Sequence, residues 1–269
     1  MTTLVATDLD RTMIFSRKAC RVGAEGDPLE LVEVEIHDGT ATSFMTATAA
    51  VRFVHLVART LVVPVTTRIP EQLARVTLPG PPRPFAIAAN GGHLFVDGVL
   101  DRTWSVRVAA TLAEGFPLAA VWEHVGHVCH PEFTRKLRNA CDLFCYAVIR
   151  PEHLPGGFVD DVTGWAAERG WRISLQGRKL YWVPEVLTKS AAVAEVAARV
   201  GADRVLAAGD SLLDVDLLLR ADRGIHPQHG ELFESGWSAP SVVQTRATGA
   251  AAGQEIVDWF IAQLAEQTS

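Results

Sequence analysis

Several features are scarce in this chain of 269 residues, and each scarcity excludes something. Basic charge is not in excess: 25 Lys and Arg face 31 Asp and Glu, for a net charge of −6. The pI of about 5.8 agrees. Proteins that grip a nucleic-acid backbone need clustered Lys and Arg, so no nucleic-acid partner is expected. No uninterrupted apolar run approaches the roughly 18 residues of a membrane span, so no membrane partner is expected either. Met1 to Thr7 lacks the basic start and apolar stretch of a signal peptide, which points to a cytoplasmic protein. Only four cysteines occur: Cys20, Cys129, Cys141 and Cys145. Without an export signal they read as free thiols rather than disulfides. There is no internal repeat and no low-complexity stretch long enough to be a linker. At 48% hydrophobic and 21% charged residues the composition is globular, and the length suits one elaborated domain or two smaller ones.

The opening of the chain is its most informative segment. Leu4-Val-Ala-Thr is a short apolar run that stops at Asp8-Leu9-Asp10-Arg11-Thr12. Continuous apolar runs suit parallel strands covered on both faces, and open α/β sheets bind ligands at their strands' carboxyl ends. Two carboxylates this close are unfavourable unless a cation or a proton resolves them. The pattern therefore suggests a hard divalent cation, Mg²⁺, beside a carboxylate able to act as nucleophile. A polar strand-to-loop exit would produce the same letters.

Three later segments repeat this apolar-to-polar switch or accompany it. Leu61 to Val65 runs into Thr66-Thr67-Arg68. Thr188-Lys189-Ser190 opens a helical pattern. Arg204 to Ala208 runs into Gly209-Asp210-Ser211-Leu212-Leu213-Asp214. In this order the four segments resemble the motifs of the haloacid dehalogenase (HAD) superfamily of aspartate-nucleophile phosphohydrolases. More narrowly, they are similar to its sugar-phosphatase-type branch, subfamily IIB, which includes sucrose-phosphate phosphatases and Cof-like hydrolases. Ala89-Asn90-Gly91-Gly92 matches that branch's N-G-[AG] segment. Trp182 through Lys189 resembles its strand-loop-lysine segment, and Thr248-Gly249 through Phe260 its glycine turn and final helix. The resemblance covers both ends of the chain but not the middle.

It implies an α/β fold: a Rossmann-like core with a parallel sheet, residues 1–91 and 177–269, and an inserted α+β cap domain over 92–176. A hairpin flap over about 28–45 is expected in the core. Leu31 to Ile36 alternates, with Val32, Val34 and Ile36 on one face and Glu33 and Glu35 on the other. Asp38-Gly39 is a favoured turn, with Thr40 to Met45 as the return strand. Ser16 to Asp27 reads as irregular. Thr46 to Ala58 reads as a helix with Val51, Val54 and Val57 roughly on one face. After a proline-rich loop at 79–84, Phe85 to Ala89 is a short strand, and Leu94 to Val99 a hairpin. Further on, 105–114 reads as a helix, and 142–149, 171–175 and 179–183 as strands. From Thr188 the α/β rhythm resumes, with a stripe of Val193, Val196, Ala197 and Val200 closed by Gly201.

The resemblance also implies roles. Asp8 is the nucleophile that forms an aspartyl-phosphate, and Asp10 the general acid, then base. Mg²⁺ is held by Asp8, the Asp10 main-chain carbonyl and Asp210, with Asp214 behind them fixing a metal-bound water or orienting Lys189. Thr66 and Lys189 bind the transferring phosphoryl group. Arg11, Thr67, Arg68, Asn90 and Gly91 are candidate substrate contacts, and the substrate is a small phosphorylated metabolite. The residues themselves leave other readings open. Thr66 could cap a helix near Pro70, Lys189 could be a solvated surface lysine, and Asp210 and Asp214 could merely favour a helix dipole. A phosphomutase or phosphotransferase would use the same aspartyl-phosphate, and a non-catalytic phosphometabolite-binding protein would use the same pocket. Arg11 stands where the branch has Gly, Thr67 where T-G-R has Gly, and Leu213 where Asn is common, departures that bear on substrate more than on activity. In the expected cap, His124, His127, Cys129, His130, Cys141 and Cys145 are zinc-ligand types, but their spacing fits no familiar template. They read rather as buried thiols and possible substrate-facing histidines. His226 and His229 either line the core side or sit in a solvated loop.

Overall fold

Thr3–Thr7 is buried along its whole length and is paired on both sides. It belongs to a five-stranded parallel sheet in the order Val242–Gln244, Arg223–His226, Arg204–Ala208, Thr3–Thr7, Leu61–Pro64. A strand covered on both faces has no solvent side, which is why these segments read as apolar runs and not as alternations. This computed structural model describes residues 2–20 and 29–266. The helices Ala47–Val57, Lys189–Val200 and Gly249–Ala265 accompany the sheet. Val5, Leu9, Phe53, Val62, Leu206, Ile225, Ile256 and Phe260 share one hydrophobic cluster. Burial of such side chains contributes on the order of 1.5–3 kcal/mol each relative to exposure. The register sets the site: Thr7 lies opposite both Ala208 and Pro64. Asp8, Val65 and Gly209 therefore leave the sheet side by side at its carboxyl edge, the ligand edge of open α/β sheets.

The hairpin forms from Leu31–His37 and Thr40–Thr46. Asp38 and Gly39 both take positive φ, 48° and 73°, as a tight two-residue turn requires. Its faces differ from the expected alternation. Ile36 is 56% exposed and Glu35 is buried. The cause is a pair of register shifts around Glu35: Glu33 pairs with Phe44, Glu35 with Ser43 and Ile36 with Ala41, so Val34 and then Thr42 are left unopposed. A bulge of this kind rotates the following side chains to the opposite faces. Positions 21–27 of the segment read as irregular lie outside the described residues.

The next helix, Ala47–Val57, is capped by Thr46, whose Oγ1 accepts from the Ala49 amide at 3.0 Å. Its buried stripe is Ala49, Ala50, Phe53 and Leu56. Val51 and Val54 point to solvent, 59% and 37% exposed. The larger apolar surfaces of Phe53 and Leu56 take the inner face, which corrects the valine face expected from sequence. Lys189–Val200 buries Val193 and Val196 as expected, and Gly201 ends it at φ 60°.

The chain divides into two compact units, Met1–Leu100 with Lys189–Ser269, and Asp101–Thr188. The second differs from the expected span 92–176 at both ends, for reasons of strand pairing. His93–Val96 and Val99–Leu100 pair with Phe85–Ala88 and stay with the first unit. Lys179–Pro184 pairs with Trp171–Gln176 and Phe144–Ile149 and stays with the second. The second unit is a four-stranded antiparallel sheet completed by Thr134–Ala140, with helices Arg102–Ala113, Leu118–Val128 and Phe158–Ala167. All four cysteines are free thiols. Among the described residues, no helix is long and apolar enough to cross a membrane.

Candidate active site

Asp8 is the first residue beyond its strand, its amide donating to the Ala208 carbonyl at 2.9 Å. Lys189 begins a helix from the other half of the sequence, yet its Nζ lies 2.6 Å from Asp8 Oδ1 and 2.5 Å from Asp214 Oδ1. It is 1% exposed, so the reading as a solvated surface lysine is excluded. The other Asp214 oxygen accepts from the Asp210 amide at 3.2 Å, the Ser211 amide at 3.0 Å and the Ser211 hydroxyl at 2.7 Å. Asp214 is thus fully occupied as an anchor for Lys189. Two glycines make room for these carboxylates. A Cβ on Gly209 would lie 2.4 Å from Asp214 Cβ, and one on Gly230 2.6 Å from Asp210 Oδ2. Gly230 also has φ +89°, which other residues adopt only under strain.

Asp8, Asp210 and Asp214 are all buried, and they offer oxygens within 4.8 Å of one another. Three carboxylates face one internal lysine, a surplus of negative charge. Burial, the counter-pull of Lys189 and the push of Asp214 leave Asp8 raised to about 7. Burial and the Asp8 charge push Asp210 well above the usual carboxylate range. Burial lowers Lys189, but Asp214 and Asp8 outweigh it and keep the ammonium protonated. Raised carboxylates clustered without enough positive charge are the environment a hard divalent cation relieves, and the donors are all oxygen. The residues fit such an ion.

Asp10 leaves the strand two residues after Asp8 and meets Arg68 in a bidentate pair, Nε to Oδ2 at 2.6 Å and Nη2 to Oδ1 at 2.8 Å. The remaining Arg68 donors reach Glu35 Oε1 at 2.8 Å and Oε2 at 3.1 Å, with the Gln72 carbonyl at 3.4 Å. Arg68 was expected as a substrate contact, but its fork is occupied from within. Burial raises the Glu35 carboxyl, but hydrogen bonds from Arg68 and Ser43 outweigh it and hold it below its ordinary value. Thr66 is fully buried, and its Oγ1 accepts from the Arg68 amide at 3.1 Å. It caps no helix, because Ile69 stands at the cap of Pro70–Leu73. The Asn90 amide donates to the Thr66 carbonyl at 2.9 Å, and Asn90 and Gly91 take positive φ, 56° and 98°. Thr67, Asn90 and Gly91 are buried alongside.

Arg11 takes φ 63°, the left-handed conformation for which glycine is the easy residue. Its Nε lies 3.7 Å from Asp210 Oδ2 and its Nη2 3.8 Å from Glu234 Oε1. Its carbonyl accepts from His229 Nε2 at 2.7 Å, while His229 Nδ1 accepts from the Gly249 amide at 3.2 Å. His229 therefore braces the turn after Asp10 as the Nε2–H tautomer. His226, also buried, pairs through Nδ1 with the Pro227 carbonyl, so neither is a solvated loop histidine.

Among the described residues, the His and Cys residues of the second unit form no group of three that could hold a metal. His124 stacks on Trp165 with centroids 3.6 Å apart, His127 Nδ1 pairs with the Glu123 carbonyl at 2.7 Å, and His130 meets Phe133 edge-on. Burial pushes the Cys129 and Cys145 thiols up to about 11 and about 12. Sequence reasoning missed Glu35, Ser43 and Ser211 as partners of the site. Ser211, next to Asp210, was within reach of a capping argument, whereas Glu35 was hidden by the bulge.

The chain thus combines a parallel α/β core, an inserted α+β unit and an acidic cluster at the carboxyl ends of the core strands. No protein-family model matches the chain, and no curated protein does. Solved structures match over nearly the whole length. The sucrose-phosphatase from Synechocystis sp., solved with sucrose and phosphate, has 14% identity, a TM-score of 0.62, and coverage of 97% of this chain and 99% of that one. A trehalose-6-phosphate phosphatase related protein has 16% identity, a TM-score of 0.55, and coverage of 99% and 100%. A phosphatase of the HAD superfamily from Bacteroides thetaiotaomicron has 16% identity, a TM-score of 0.52, and coverage of 97% and 95%. At these identities the likeness is one of fold.

Proposed function

We propose that the chain is a Mg²⁺-dependent phosphohydrolase that cleaves a small phosphomonoester through an aspartyl-phosphate on Asp8. The observation that carries this reading is the buried Asp8–Lys189–Asp214 chain beside Asp210, at the carboxyl ends of the neighbouring strands Thr3–Thr7 and Arg204–Ala208. Lys189 holds Asp8 Oδ1, leaving the second oxygen to attack phosphorus. The Asp8–phosphorus bond forms as the ester oxygen departs with a proton from Asp10. Water then attacks phosphorus, gives its proton to Asp10 and frees Asp8. The Thr66 hydroxyl and Lys189 ammonium are read as donors to the transferring oxygens. Asp8, Asp210 and the Asp10 carbonyl would hold Mg²⁺, which neutralises phosphoryl charge when bound. A sugar phosphate is the substrate class favoured by analogy with the sucrose- and trehalose-phosphate proteins. The Asp101–Thr188 unit is read as the cap, and the protein as cytoplasmic.

The test is phosphate release from a panel of phosphomonoesters, with Mg²⁺ and with excess chelator. Release that needs Mg²⁺ and concentrates on one or two sugar phosphates is expected. Positional isomers in place of phosphate would identify a phosphomutase. No release from folded protein would overturn the assignment.

Arg11→Gly probes the charge balance. Glycine relieves a left-handed backbone but loses more entropy on folding, two effects of about 1 kcal/mol that oppose each other. Removing the cation beside Asp210 favours a divalent ion; as Arg11 is partly solvated, the gain is ~1 kcal/mol. Calorimetric titration should show Mg²⁺ binding about fivefold tighter, with a melting temperature near that of wild type.

A further inference from the structure

Asp10 is half-exposed and stands beyond the end of its strand, so packing alone does not fix its carboxylate plane. Arg68 does fix it, through the two parallel bonds that pair a guanidinium edge with a carboxylate. Arg68 is itself buried, and the opposite side of its fork is filled by Glu35. Glu35 accepts from the Ser43 hydroxyl at 2.6 Å, and Arg75 Nε lies 3.5 Å from it. Glu35 points inward because the hairpin's register shifts on both sides of it, leaving Val34 on its own strand and Thr42 on the partner strand unopposed. Bulges beside active sites often re-aim a side chain in this way.

Resting on the acid–base role proposed for Asp10, we infer that Glu35 is a positioning residue: through Arg68 it sets the plane in which Asp10 meets the leaving oxygen. The chain Ser43–Glu35–Arg68–Asp10 joins both strands of the hairpin to the loop after the first strand. Every intermediate atom is held by a charge-assisted hydrogen bond, the kind with the sharpest directional preference. A buried ion pair with a purely structural role would, when weakened, lower stability and slow all substrates alike. A positioning role makes a different demand, because the acid matters only where the leaving group needs a proton.

The experiment compares kcat/KM for two substrates, which reports the steps up to phosphoryl transfer to Asp8. One is p-nitrophenyl phosphate, whose phenolate leaves without a proton. The other is the alkyl phosphomonoester turned over fastest in the panel above. Asp10→Asn provides the benchmark and should lose activity mainly on the alkyl ester. Glu35→Gln keeps the shape but removes the charge and one acceptor facing Arg68. It should lower the alkyl-to-aryl ratio of kcat/KM about tenfold, a fraction of the roughly 10²–10⁴ a general acid supplies. Ser43→Ala, which removes the hydroxyl that donates to Glu35 and accepts from Arg68 Nη2 at 3.5 Å, should lower the ratio about threefold and decides the matter if Glu35→Gln does not fold. Unchanged ratios in the folded variants, beside a selective loss in Asp10→Asn, overturn the positioning role and leave the proposed function standing. An Asp10→Asn enzyme with no selective loss, or a wild type with no turnover, overturns both.

Discussion

Lys189→Met is expected to cost about 3–5 kcal/mol of folding stability and at least about 10³-fold in turnover. The ammonium lies between Asp8 and Asp214 and is 1% exposed. Methionine fills most of the volume but strands two buried carboxylates, and an uncompensated buried charge is far costlier than a missing surface pair. The two will respond differently. Asp214 keeps two amide donors and a hydroxyl. Asp8 loses the charge that now pulls it down and shifts further above the usual carboxylate range. A carboxyl raised in the folded state contributes stability below its unfolded value, and that contribution is lost as pH rises through the folded value. The deficit of Lys189→Met should therefore be larger at pH 8 than at pH 5. Urea denaturation at both values checks this. A variant within 1 kcal/mol of wild type at each pH, with turnover retained, would remove Lys189 from the centre of the site.

The parts of this arrangement that sequence revealed are those where one physical rule acts alone. A strand buried on both faces has no choice but to be apolar, so Thr3–Thr7, Leu61–Pro64 and Arg204–Ala208 stood out. Asp8, Thr66 and Asp210 stood out because each follows where such a run stops, whereas Lys189 opens a helix. The hairpin was legible from Asp38-Gly39, but its inner face was not. The unopposed Val34 and Thr42 break the two-residue period, and nothing local signals them. The same irregularity hid Glu35, the Arg68 partner that lies 33 positions away in the chain. In Ala47–Val57 two apolar stripes compete, and the choice belongs to the sheet it packs on, not to the helix. The second unit was least legible where charge masks the pattern. Thr134–Ala140 carries exposed Arg135, Lys136 and Arg138, as an edge strand often does, and its alternation is lost.

Asp8→Asn should abolish function and, without metal, strengthen the fold. Turnover is expected to fall by about 10⁴-fold or more, because the amide cannot form the phosphoryl ester. The stability effect follows from the same burial that readies the carboxylate. In the fold Asp8 is raised to about 7, pushed up by burial against the pull of Lys189, while in the unfolded chain it keeps the ordinary carboxyl value of 3.8. Its protonated form is therefore the one the fold favours. That contribution is whole below the unfolded value and fades as pH rises through about 7. Asparagine does not titrate, and its carbonyl still accepts from Lys189. In chelator at pH 8 the variant should be about 1–3 kcal/mol more stable than wild type, the remainder of the shift being shared with Asp210. At pH 5 the gap should narrow. Saturating Mg²⁺ should erase it, since the cation compensates the carboxylate in wild type only. Melting curves at both pH values, with and without Mg²⁺, separate these cases. A variant less stable than wild type in chelator at pH 8 would mean that Asp8 is held as a comfortable ion, not as a strained and reactive one.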